Sequence, residues 1–149
     1  MKIKTTVTDI THDDLENLLS TATYGSDYFF CKVPKGSYNG TKLEDANDCV
    51  EDKWAKVLLA GKPIYVYDAY SEDSTDAYGN LPHEFSMKYD CVRYTLTLAD
   101  IVKGLEKALM IGGWKSTYVN NLMQEDGDFD QIQAEALLQF IVFGEEVYG

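Results

Sequence analysis

Arginine occurs once in these 149 residues, as Arg93; the other twelve basic side chains are lysines. They face twenty-five carboxylates, for a formal net charge of -12. Recognition of nucleic-acid phosphates relies on arginine forks and clustered cations, and no stretch here gathers more than two or three lysines. The expectation is no direct binding to nucleic acid, and repulsion from an anionic membrane surface. Cysteine is also sparse. Cys31, Cys49 and Cys91 are odd in number and form no Cys-x-x-Cys pair, which argues against a disulfide framework and against a zinc site. A glycine-rich phosphate loop is missing: Gly112-Gly113 follows a helical pattern instead of opening one, the wrong polarity for phosphate. The longest apolar run, near Phe140 to Phe143, falls far short of a membrane span. Met1-Lys-Ile-Lys gives way to polar residues with no apolar signal core. A reducing intracellular compartment is expected.

What is present is a foldable, acidic chain. Hydrophobic residues make up 45% of it, and eleven Tyr, six Phe and two Trp exclude a disordered composition. Its length suits a single domain spanning 1–149. Seventeen of the twenty-five acids fall in four groups. The first is Asp9, Asp13, Asp14 and Glu16; the second is Glu44, Asp45, Asp48, Glu51 and Asp52. Asp68, Glu72, Asp73 and Asp76 form the third, and Glu125, Asp126, Asp128 and Asp130 the fourth.

Periodicity gives the element order. Residues 2–8 alternate with β-branched side chains and read as a strand. Thr11-His-Asp-Asp14 is a capping-box start for a helix with Leu15, Leu18, Leu19 and Ala22 on one face. Gly25 ends it. Asp27 to Val33 is a second strand, followed by a polar connection over 34–46. Asn47 or Asp48 can cap the next helix, whose apolar face is Val50, Trp54, Val57 and Leu58, closed by Gly61. Ile64 to Tyr70 is a strand, 71–87 a long aperiodic loop, and Tyr89 to Leu96 a strand that pairs with 64–70 as an antiparallel hairpin. Thr97-Leu-Ala-Asp100 starts another helix with Leu98, Ile101, Val102, Leu105 and Leu109 in a stripe. Tyr118 to Met123 is left unassigned. Asp128 can cap a last helix through Phe143, with a stripe wide enough (Ile132, Ala136, Leu137, Phe140, Ile141) to be the most buried. The class is α+β: a small, mostly antiparallel sheet with about four helices packed on it, ordered β-α-β-α-β-β-α-α.

Several segments carry a resemblance. They are the opening Met1-Lys-Ile-Lys-Thr-Thr-Val-Thr, Leu18-Leu-Ser-Thr-Ala22 and the aromatic strand near Tyr28. Tyr94 to Leu105 and the ending Ala134 to Gly149, with its Phe-Gly-Glu-Glu-Val-Tyr-Gly close, belong with them. These resemble uncharacterised small acidic proteins of phages and integrative mobile elements of gut Firmicutes. About half the chain is covered, mainly its ends; segments 34–63 and 71–87 are not. The resemblance implies a mobile-element origin and a place in the cytoplasm of a host bacterial cell. It supplies no catalytic residues.

Candidate chemistry is thin. Asp126-Gly-Asp128-Phe-Asp130 alternates acids like a calcium loop, but an EF-hand needs glycine and glutamate where Gln131 and Leu137 stand; acids before a helix start also suit its dipole. His83, Glu84 and Cys91 lie close in sequence without an accompanying oxyanion element. Tyr65, Tyr67, Tyr70 and Tyr78 surround the third acidic group, the composition of either a protein-binding surface or a half-buried sheet face. No catalytic set, metal set or cofactor motif emerges, so a non-enzymatic protein is expected. Carboxylates can stand where phosphates would, filling a basic groove on a nucleic-acid enzyme. On this reading the chain inhibits a host nucleic-acid-binding or defence protein, as an anti-CRISPR protein does, by polyanion mimicry. Its contacts would be Glu44, Asp45, Asp48, Glu51, Asp52, Asp68, Glu72, Asp73 and Asp76. The alternatives are a small-molecule or cation-binding module, built on Ile64 to Tyr70 or on Asp126 to Asp130, and an enzyme of unknown class. The oligomeric state is open.

Overall fold

A computed structural model describes residues 7, 9–38, 49–70, 81–124 and 127–148. Helix α1 (His12–Thr23) starts at Thr11, whose hydroxyl accepts from the Asp14 N–H at 3.2 Å, while Asp14 Oδ2 accepts from the Thr11 N–H at 3.0 Å. Strand β1 (Phe29–Lys32) follows, and a 3-10 turn over Lys35–Tyr38 precedes helix α2 (Val50–Leu59). Strands β2 (Ile64–Asp68), β3 (His83–Ser86) and β4 (Cys91–Leu96) lead into helices α3 (Leu98–Ile111), α4 (Gly113–Met123) and α5 (Gln131–Phe143). The fold is α+β, with five α-helices among the described residues where about four were expected.

The strands make one antiparallel sheet ordered β1-β2-β4-β3. Ile64 stands opposite Leu96 and Val66 opposite Tyr94, so the expected pairing of these two strands holds. The segment read as a loop over 71–87 contains β3, which closes the tight hairpin to β4. Its residues His83-Glu-Phe-Ser are mostly exposed and carry no buried alternation, which is why the pattern was silent. The unassigned piece at Tyr118 is part of α4, whose apolar side chains form no clear stripe. Gly112, at φ 80°, is at once the end of α3 and the start of α4, so the glycine pair does open a helix. The cap of α2 is Cys49 and that of α5 is Asp130, whose Oδ1 accepts from the Gln133 N–H at 2.9 Å; Asp128 lends its carbonyl to Gln133 Nε2 instead. Val50 and Ile132 are exposed, contrary to their expected places in the core. The expected first strand lies, apart from buried Val7, outside the described residues.

The core lies between the sheet and the helices. Phe29, Val66, Tyr94 and Leu96 meet Leu15, Leu18, Leu19, Leu105, Leu137 and Leu138 in one buried cluster. Nine of the thirteen residues of α5 are buried, and it packs on α1, α3 and α4. Its one buried amide, Gln139, is engaged at both polar atoms: Oε1 accepts from the N–H groups of Val147 (2.8 Å) and Tyr148 (2.6 Å), and Nε2 donates to the Tyr148 carbonyl at 3.1 Å. The tail so fixed places the Tyr148 hydroxyl 2.6 Å from Asp68 Oδ2, and the Tyr70 N–H donates to Oδ1 at 3.2 Å. Asp68 is completely buried.

Two expectations follow. Tyr148→Phe leaves Asp68 short of a donor in a dry site and should lower unfolding free energy by about 1–3 kcal/mol in urea denaturation. Gly104→Ala should lower it by about 1–2 kcal/mol despite the higher helix propensity of alanine. The added Cβ would lie 2.7 Å from Ile141 Cγ1 and 3.0 Å from its Cα, where α3 crosses α5.

Candidate functional site

The first turns of two helices bring acids together from distant parts of the chain. The Thr11 capping box fixes the register of α1 and sets His12 and Glu16 one turn apart on the same face. Cys49 begins α2, whose first turn carries Glu51 and Asp52, a favourable place for negative charge. Because α2 packs on α1, Asp52 meets His12 and Glu51 meets the Tyr24 hydroxyl at the far end of α1.

Within this junction, His12 Nδ1 lies 3.5 Å from both Asp13 Oδ1 and Glu16 Oε2, and His12 Nε2 lies 2.6 Å from Asp52 Oδ1. The last contact is short but off the ring N–H axis: Nε2 is buried and lacks an aligned hydrogen-bond partner. Lys56 Nζ reaches Asp52 Oδ2 at 3.2 Å. The donor atoms of Glu16, Cys49 and Glu51 all lie within 4.8 Å of one another, as do those of His12, Asp13 and Glu16.

The titration of these groups records the crowding. Burial raises the Glu16 carboxyl; His12 opposes this, and Asp52, Glu51 and Asp13 add to it. The Tyr24 phenol is pushed up to about 12, first by its hydrogen bond to Glu51 and then by burial. Glu51 is lowered by that same bond and by a backbone donor, against desolvation. At Cys49 the Asp52 backbone N–H favours the thiolate without forming a true cap. Desolvation and the Glu51 carboxylate outweigh it, so the thiol lies above its ordinary value.

The residues singled out from the sequence divide three ways. Glu51 and Asp52 belong to this junction. Asp68 faces inward, held by Tyr148 and Tyr70, and in this state offers no carboxylate to a partner. Glu44, Asp45, Asp48, Glu72, Asp73 and Asp76 lie outside the described residues, as do Tyr78, Glu125 and Asp126. His83 and Cys91 do not form a pair. In the strand register His83 stands opposite Tyr94, whereas Cys91 projects to the other side of the sheet beside Ser86. Glu84 is engaged by Arg93 across the hairpin.

On the sheet face turned away from the helices, Phe30 stacks on Tyr67 at 4.6 Å, Tyr89 closes on both, and Arg93 lies 4.0 Å over the Tyr65 ring. Tyr67 is only 4% exposed, whereas Phe30, Tyr65 and Tyr89 are half-buried. Tyr70 packs instead with Tyr28 and Tyr148. Sequence reasoning missed His12, Tyr24 and Cys49 as members of the junction. The His12-x-x-x-Glu16 spacing was a usable signal; the approach of Cys49 required the α1–α2 packing.

No family model, curated protein or solved structure matches this chain. Among the described residues no helix is long and apolar enough to cross a membrane.

If the Tyr24–Glu51 bond governs both titrations, Glu51→Gln should return one tyrosine from about 12 toward the ordinary value of about 10. Tyrosinate absorbance in an alkaline titration, compared with the parent and with Tyr24→Phe, reads this directly. The bond's stabilisation is present below the ordinary phenol value and is lost as pH rises through about 12.

Proposed function

We propose that this chain is a non-enzymatic acidic binding protein of mobile-element origin. It acts inside a host bacterial cell by occupying the basic surface of a nucleic-acid-processing or defence protein. The observation that carries the reading is the convergence of two acidic groups, far apart in sequence, on one patch. Asp13, Glu16, Glu51 and Asp52 crowd closely enough for Glu16 to feel the other three carboxylates. Charge needed only for solubility is served as well by dispersed acids. Clustering them costs self-repulsion, which an array that stands in for phosphates requires. Glu44, Asp45 and Asp48 precede α2 directly in the sequence and extend the same acidic run. The resemblance of the chain's two ends supplies the mobile-element setting.

Affinity capture from bacterial lysate tests the reading. The captured partner should be a basic, nucleic-acid-binding protein, released by duplex DNA and by raised salt because screening removes most of the attraction. Combining Asp13→Asn, Glu51→Gln and Asp52→Asn should weaken its binding about tenfold, roughly 0.5 kcal/mol for each contact. A partner indifferent to salt, to DNA and to these changes would overturn polyanion mimicry.

A further inference from the structure

Helix α3 carries charge of the scarce sign beside apolar side chains that the core does not take. Lys103, Lys107, Met110 and Ile111 recur at helical spacing and share one stripe, on the side away from buried Ile101, Leu105 and Ala108. Trp114, in the first turn of α4, follows directly. We infer that this corner of α3, α4 and α5 is a docking surface for a short acidic, apolar segment of a partner protein. None of its residues belongs to the α1–α2 junction, so the inference goes beyond the proposed function and does not rest on it.

Apolar exposure is the first argument. Met110 is 86% exposed, Ile111 55% and Trp114 39%. Three of the ten large apolar side chains exposed among the described residues thus fall within five consecutive positions, where isolated ones would need no explanation. An unbranched methionine in such a place adapts its shape to what covers it. Beside this stripe, α3, the end of α5 and Leu81-Pro82 enclose a cleft of about 260 Å3, with Lys103, Lys107 and Phe140 in its lining.

Charge is the second argument, and it selects the occupant. Lys107 Nζ lies 5.7 Å and Lys115 Nζ 5.6 Å from the centre of one ring, Phe140, and Lys115 Nζ also stands 4.0 Å over Trp114. Ammonium groups and apolar surface are therefore one continuous patch. In a chain with twenty-five carboxylates, none of Lys103, Lys107 and Lys115 is in an ion pair among the described residues. Asp100 borders the same cleft but is committed to the Thr97 N–H and hydroxyl, at 3.0 and 2.9 Å. Two ammonium groups at one ring repel each other, and a carboxylate set between them removes that repulsion. Lysines without arginine offer point charges and not the planar fork that favours phosphate, and a net charge of -12 repels a polyphosphate as a whole. A short acidic segment carries few charges and gains apolar contact with Met110, Ile111 and Trp114. From Lys103 to Ile111 the stripe runs about 12 Å at 1.5 Å per residue, roughly two turns of a partner helix.

Fluorescence anisotropy with a short labelled peptide, in which Glu and Leu alternate at helical spacing, tests the surface. The peptide should bind saturably, and raising salt from about 50 to about 500 mM should weaken it at least about fivefold. Lys103→Glu/Lys107→Glu should weaken binding about tenfold or more and remove most of the salt dependence. Met110→Ser/Ile111→Ser should weaken it about tenfold with the salt dependence kept. Tryptophan emission should move to shorter wavelength on binding in the parent and stay fixed in Trp114→Phe, because Trp54 is already buried. All five positions are exposed, and circular dichroism checks the fold of each variant. The variant combining Asp13→Asn, Glu51→Gln and Asp52→Asn should bind the peptide at least as tightly as the parent. Loss of basic-partner capture with peptide binding intact would count against the proposed function alone. The docking surface is overturned by absence of saturable peptide binding, by binding unchanged in both double variants, or by equal binding of a peptide with Lys in place of Glu. Displacement of the peptide by single-stranded DNA, or self-association of the chain through the same side chains, would overturn it as well.

Discussion

Everything in this fold is arranged around a helix that cannot face water. Helix α5 is apolar on nearly every side, so α1, α3, α4 and the sheet close around it, the sheet through Phe143 against Phe29 and Tyr94. A buried helix tolerates a polar side chain when that side chain finds hydrogen-bond partners. Gln139 is that side chain, and its partners come from the C-terminal tail. The tail is thus part of the core's polar accounting. By holding Tyr148 in place it also supplies the hydroxyl that makes a completely buried Asp68 tolerable at the edge of β2. Gln139, Tyr148 and Asp68 form one chain of dependence from helix to tail to sheet.

That arrangement sorts the acids by what they do. Asp14, Asp100 and Asp130 close helix starts, Asp68 is internal, and Glu84 is neutralised by the chain's single arginine. Four of the twelve that remain among the described residues, Asp13, Glu16, Glu51 and Asp52, meet where α2 crosses α1. There the helix dipoles favour Asp13, Glu51 and Asp52 individually, while their proximity to one another and to Glu16 disfavours them jointly. Tyr24, His12 and Lys56 answer only part of that repulsion.

The elements with strong periodicity were legible from the residues: α1 and α3 with their capping boxes, the paired strands β2 and β4, and the burial of α5. Strand β3 was not, because its side chains are largely exposed and its definition comes from pairing with β4. Helix α4 escaped for a similar reason, having no clear apolar stripe. Asp68 was misjudged because a carboxylate among tyrosines looks like surface. Its burial depends on Tyr148, eighty residues away, which local pattern cannot reveal. Half of the acidic junction was visible as two charged runs, but their convergence is a property of helix packing.

The distribution of positive charge bears on how such a patch would operate. Lys32 and Lys88 lie beside Tyr89, and Arg93 over Tyr65, on the sheet face turned away from the helices. Lys107 and Lys115 both lie over Phe140, beside α3 and α4. Each of these cations rests on an aromatic ring, where the ring's negative face holds it. Lys56, in contrast, is held by Asp52 within the α1–α2 junction itself, so the acidic patch carries a cation of its own and its field is partly screened.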